Sequence, residues 1–143
     1  VTQFVRYVRD VLADLLHVRG RDRAVCAFYF FFAAFSFVAV VAIAGYYAYE
    51  NHSRGALGVV GGFFRDALAN PAGWFIYADL TLVWIALAFY MIGEARRLGI
   101  PYVWVYIVGA PLCALSVSFP AFMIVRQLKL AAGVASDSAV ATT

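Results

Sequence analysis

Charged residues are what this sequence has least of. They make up 13% of it, against about 25% in an ordinary water-soluble domain, too few to cover a soluble surface. From Ala24 to Tyr49 there are none. Histidine and cysteine are equally scarce, with two of each in 143 residues. His17 and His52 belong to opposite ends of the first long apolar segment, and neither has a second ligand at metal-binding spacing. That excludes a zinc site and a shared haem. Cys26 and Cys113 form no Cys-x-x-Cys motif and differ in depth by several helical turns, so no disulfide is expected. Both read as apolar packing. There is no Ser/His/Asp set, no phosphate-cradling glycine loop and no acidic pair for a metal-dependent transferase. No internal repeat marks the chain as a transporter of inverted halves. These absences point away from an enzyme and from any cofactor or metal.

What is present is apolar. The chain is 65% hydrophobic with a mean hydropathy of +0.84. Its formal net charge of +3 and pI near 9.0 come from basic residues in short clusters beside apolar segments. That pattern belongs to membrane anchoring and topology, not to nucleic acid. All of the eleven Lys and Arg residues except Lys129 are Arg, which with abundant Ala points to a GC-rich bacterial genome of the actinobacterial kind. The expected fold is all-α and integral to the membrane. Three transmembrane helices follow an N-terminal amphipathic interfacial helix, and a short interfacial or re-entrant helix lies between spans one and two.

The first 18 residues carry the amphipathic pattern. Val1, Phe4, Val5, Val8, Val11, Leu12, Leu15 and Leu16 share one face of a helical wheel, with Arg6, Arg9, Asp10, Asp14 and His17 opposite. Such a helix lies in the interface or docks on a partner, and Phe4, Val8, Leu12 and Leu15 are its docking candidates. With the basic hinge Arg19–Arg23 it forms an arm over residues 1–23. A three-helix membrane domain follows over 24–129, with spans at about 24–49, 74–95 and 102–125. Between the first two, Leu57, Val60, Phe64 and Leu68 keep helical spacing in a segment too short to span. The tail, 130–143, reads as disordered.

The second span has the clearest boundaries. Asn70-Pro71 opens it, and Arg96, Arg97, Gly99 and Pro101 form a complete helix stop. Glu94, Arg96 and Arg97 make a charged surface clamp there, with Glu94 and Arg97 at pairing distance along the helix. One carboxylate, Asp79, breaks the apolar run about 9 Å from the outer end. An ionisable residue at such depth is a functional candidate by default. Spans two and three form a short-looped antiparallel pair, so Asp79 is expected level with Ser116 and Ser118, with Arg126 reaching down to it. These four then form an intramembrane polar tie. In the third span Gly109, Cys113, Ser116 and Pro120 recur at helical spacing, a small-residue seam that lets another helix approach. An N-terminus in the cytoplasm puts Arg6, Arg9, Arg19, Arg21, Arg23, Arg96 and Arg97 inside. Arg54, Arg65, Arg126 and Lys129 are then outside, which satisfies the positive-inside rule with the C-terminus outside the cell (inner) membrane.

From residue 63 to 126 the order of short motifs is also informative. Phe63-Phe64-Arg65, Ala69-Asn70-Pro71, Asp79-Leu80, Glu94-Ala95-Arg96-Arg97-Leu98-Gly99-Ile100, Trp104-Val105-Tyr106, Ser118-Phe119-Pro120 and Arg126 follow one another. This stretch resembles a family of small bacterial three-span membrane proteins known only as a domain of unknown function, DUF2834. The resemblance implies the three-helix fold and a shared core of Asp79, Arg96, Arg97, Pro120 and Arg126. It implies no reaction. The arm over 1–23 reads as an addition to the family pattern.

The expected role is therefore a non-catalytic accessory subunit of a larger membrane complex, without cofactor or nucleic acid. Its expected partners are membrane lipids and other integral membrane subunits, those of a multi-subunit transporter for lipid or another hydrophobic substrate. The alternatives are a self-associating small permease or ligand binder using Asp79, and an accessory subunit of a respiratory complex.

Overall fold

The computed structural model of the protein describes residues 2–17 and 20–140. Val1, Arg19 of the basic hinge and residues 141–143 of the tail lie outside them. Six helices follow in order: α1 (Thr2–His17), α2 (Gly20–Glu50), α3 (Gly55–Ala67), α4 (Pro71–Leu98), α5 (Val103–Cys113) and α6 (Leu115–Val140), with a single 3-10 turn at His52–Arg54. Three stretches, Asp22–Glu50, Pro71–Leu98 and Leu115–Gly133, are long and apolar enough to cross a membrane. At about 1.5 Å per residue, the 31 residues of α2 and 28 of α4 exceed a hydrocarbon core of about 30 Å.

Local chemistry sets the ends of α4. The Asn70 side chain accepts from Gly73 N at 3.0 Å, and Pro71 fills the first turn, where its missing N–H costs nothing. Gly73 itself is required: a Cβ there would collide with the Ala67 carbonyl as α3 hands over to α4. At the other end Gly99 is left-handed at φ 63, and the Ile100 N–H closes back on Ala95 O at 2.9 Å.

The third apolar segment departs from expectation. It is not one helix over 102–125 but a hairpin of α5 and α6. The Tyr106 and Phe122 rings lie 5.7 Å apart, whereas a straight helix would separate these residues by about 24 Å. The Ser118 hydroxyl donates to the Tyr106 carbonyl. The turn is Ala114, at φ 84 and ψ 143, a conformation that a residue with a Cβ adopts only under strain. Its carbonyl then accepts from both Val117 N and Ser118 N at 3.1 Å to start α6. Pro111 prepares the break. It has no N–H for the Ile107 carbonyl, and the Trp84 indole N–H of α4 donates to that carbonyl instead, at 3.1 Å.

The hairpin reverses the direction of α6. Gln127 donates to Asp22 at 2.8 Å, so the later part of α6 lies beside the start of α2 and the end of α4. The C-terminal end of the bundle core is thus at the same end as its start, not at the opposite one. The segment 130–140, which reads as a disordered tail, continues α6, as its alanines favour.

Two clusters hold this end together. Met91 and Ala95 of α4, Ile107 of α5 and Phe122 and Val125 of α6 are buried with Ile100. Cys26 of α2 packs on Ile124 and Leu128 of α6, with Val11 and Leu15 of α1 laid against them. Toward the other end the packing thins. Phe31, Phe35, Ile43 and Tyr46 of α2 and Trp74, Phe75 and Ile76 of α4 are all exposed.

Candidate functional site

The best-shielded ion pair sits where α4 meets α6. One oxygen of Glu94 accepts from Arg126 Nε at 2.6 Å and from Arg97 Nη2 at 3.0 Å. The Glu94 and Arg126 side chains are only 15% and 22% exposed, while Arg97 is 58% exposed. The inner pair is thus the shielded one. Helical periodicity places Arg97 one turn from Glu94, and the hairpin delivers Arg126 from across the bundle. Arg96, the third member of the expected clamp, is exposed and lines a shallow cleft of about 170 Å³ with Ile92, Ala95, Ile100, Val103 and Trp104. Small-molecule sites begin near 300 Å³. A carboxylate gripped by two guanidinium groups is a poor proton acceptor, so the clamp's chemistry is cohesion. Among the described residues, no three His, Cys, Asp or Glu side chains converge.

The expected tie at Asp79 does not form. Arg126 is committed to Glu94, and Ser118 is bonded to Tyr106 of its own hairpin. Ser116 is half-buried in the first turn of α6. The reason is the turn at Ala114, which folds α6 back along α5 and brings Arg126 to Glu94 instead. Asp79 also points the wrong way, about 140° around the helix from Trp84, which faces α5. It is exposed, and among the described residues no hydrogen bond or ion pair reaches it.

The docking candidates divide in the same way. Leu15 packs on Cys26, Ile124 and Leu128 of the protein's own bundle. Phe4 touches Tyr102 ring to ring at 5.7 Å, beside Tyr7, whose hydroxyl shares a 3.2 Å hydrogen bond with that of Tyr106. Val8 and Leu12 remain 40% and 54% exposed. The small-residue seam is largely used internally. Gly109 faces Ser118 across the hairpin, where a Cβ would come within 3.5 Å of the hydroxyl. Only Cys113, near the tip, is exposed.

One polar cluster was not foreseen. At the far end of the bundle Asp66 of α3 accepts from the Tyr47 hydroxyl at 2.8 Å and from Arg54 at 3.5 Å, with Arg65 at 3.4 Å. The only sequence signal for it was the glycine spacing of α3. Gly62 leaves room for Arg54 and Tyr47, whose atoms would lie within 2.8 and 3.1 Å of a Cβ. The Tyr47 hydrogen bond, helped by Arg65 and Arg54 and opposed by desolvation, holds the Asp66 carboxyl below its usual range. A depressed folded pKa contributes stability above the unfolded value of about 3.9 that disappears as pH falls through the folded value. Asp66→Asn should therefore melt below the native protein near pH 6, and the gap should close on acidification below about pH 4. Thermal melts in detergent at both pH values check this; a gap independent of pH would count against it.

Compared with known families, residues 28–128 match the model described as "Protein of unknown function DUF2834". The match takes in most of α2, all of α3, α4 and α5, and α6 as far as Leu128, with α1 outside it. No curated protein and no solved structure matches the chain.

Proposed function

The chain belongs to the DUF2834 family, and from its geometry we propose that it is a non-catalytic accessory subunit of a larger complex in a bacterial cell membrane. The host is a multi-subunit transporter that takes up lipid or another hydrophobic substrate, and this subunit stabilises its assembly. The tip of the α5–α6 hairpin carries the reading. The 11 residues of α5 rise only about 16 Å, so the turn at Ala114 lies near mid-membrane. Pro111, Leu112 and Cys113 there are exposed, Leu112 to 78%. Non-helical backbone at that depth has no water to take up its free carbonyls, and it persists only under protein cover or beside a wet cavity. Among the described residues nothing covers the exposed Pro111, Leu112 and Cys113; a neighbouring subunit covers them.

Charge supports an orientation with both ends of the bundle core in the cytoplasm. Arg6, Arg9, Arg23, Arg96, Arg97, Arg126 and Lys129 all belong to the end where α1 packs. Arg54 and Arg65 belong to the other. The positive-inside rule then makes the first end cytoplasmic, and α1 lies along that interface with Val5, Val8 and Leu12 turned outward. The preference for a lipid-handling host comes from composition and from the apolar surface left on α2 and α4.

The test is to tag the protein at its native level, extract it in a mild detergent, size the particle and identify its companions. Stoichiometric transporter subunits are expected, and respiratory subunits would change the host. A small oligomer of this chain alone would overturn the reading in favour of a self-associating permease that uses Asp79. In that case Asp79→Asn should abolish transport in reconstituted vesicles. The arm gives a second check. Leu12→Asp should leave the thermal melt within about 0.5 kcal/mol of native yet weaken co-purification. Leu15→Asp should lower the melt itself, since that side chain seats the arm on the bundle. Equal melts for the two variants would refute this division of labour.

A further inference from the structure

We propose that the outer face of α4 is a seat for a transmembrane helix of the host complex, and that this helix carries a Lys or Arg at the depth of Asp79. The inference rests on the accessory-subunit reading and specifies one contact. Phe75, Asp79, Leu82, Ala86, Phe89 and Gly93 recur at steps of four and three residues and are all exposed, with Phe75 and Phe89 at 74% and Leu82 at 67%. They form one stripe, on the side of α4 away from α5 and α6. Bulky members alternate with small ones: Asp79, Ala86 and Gly93 follow at seven-residue steps. That is the knobs-and-holes spacing on which a second helix packs, and small positions are what close approach in lipid requires.

Asp79 decides which helix. It lies about 8 Å below Trp74 at the rise of an α-helix, inside the apolar layer. Its own helix offers it nothing, since the nearby Thr81 hydroxyl already donates to Tyr77 O at 2.7 Å. A carboxyl at this depth needs a donor, and intramembrane acids are found paired or facing a protein interior. A second copy of this chain meeting across a two-fold axis would bring Asp79 against Asp79, and like charges oppose one another there. A basic side chain on a different subunit complements it.

The test uses a defined probe. Synthetic Leu/Ala transmembrane peptides carrying one Lys about 8 Å from the outer end, or norleucine at the same place, are mixed in liposomes with the labelled full chain, and association is read by energy transfer. The Lys peptide is expected to bind at least tenfold more tightly. Asp79→Asn should erase that preference while leaving the melt unchanged, and Ala86→Leu should weaken both peptides by filling a hole in the stripe. Equal binding of the two peptides to the native chain would overturn the inference. So would energy transfer between copies of the chain that Asp79→Asn removes. If the peptides show no preference but the native particle still contains transporter subunits, the accessory reading stands and this contact alone falls.

Discussion

Arg126→Met should destabilise the folded chain by about 2 kcal/mol, while Arg97→Met should cost no more than about 0.5 kcal/mol. Both guanidinium groups bond the same oxygen of Glu94, so distance along the sequence does not separate them; exposure does. Arg97 stands 58% exposed at a helix end, where solvent screens the pair. Arg126 approaches Glu94 at 2.6 Å with both side chains mostly covered, and its removal strands a carboxylate that only one exposed partner still serves. Glu94→Leu in the Arg126→Met background should recover most of the loss, because the stranded charge is what costs, not the missing bond. Unfolding titrations of the single and double variants in mixed micelles measure all three values. Equal losses for Arg97→Met and Arg126→Met would mean that the inner pair is no better shielded than the outer.

Which features could be read from the sequence follows from how far their causes reach. The ends of α4 were legible because Asn70, Pro71, Arg96, Arg97 and Gly99 act within a turn of the boundaries they set. The family resemblance was legible too, since its motifs are runs of neighbouring residues, and the matched region extends from the expected 63–126 out to 28–128. The partner of Arg126 was not. Glu94 is 32 residues away, and the choice between Glu94 and Asp79 depends on whether the third apolar segment runs straight or folds back. A straight span puts Arg126 on the far side beside Asp79; a hairpin brings it home to Glu94. Both outcomes have the same hydropathy, so apolar periodicity could not choose. The residues that do choose are quiet ones. Pro111 frees the carbonyl of Ile107, which needs a donor, and Trp84 supplies one from α4. Ala114 carries no signal, because alanine is not a residue expected at positive φ. The Tyr47–Asp66 cluster escaped for a similar reason: 19 residues separate the pair, across a connection whose conformation only the glycines of α3 hinted at.

The hairpin makes the sharpest claim about the molecule, and it is open to direct labelling. In a background with Cys26→Ala and Cys113→Ala, single cysteines are placed at three exposed positions: Gln3 on α1, Leu57 on α3 and Ala132 on α6. In sealed membranes an impermeant maleimide should reach Gln3→Cys and Ala132→Cys from one side and Leu57→Cys only from the other. Labelling of Ala132→Cys together with Leu57→Cys would mean that the third segment crosses the bilayer outright and that the turn at Ala114 does not exist in the membrane. Energetics gives an independent check. Ala114 holds φ 84 and ψ 143, a region that costs a non-glycine residue on the order of 1–3 kcal/mol. Ala114→Gly should therefore raise stability by about 1 kcal/mol, although the same change inside a straight helix would lower it by about that much. Ala114→Val adds a branched Cβ to the strained position and should lower stability further than any other substitution near the tip. The sign of the glycine effect separates the two conformations even if the labelling pattern is blurred by leaky vesicles. A hairpin rewards glycine at residue 114, and a continuous helix penalises it.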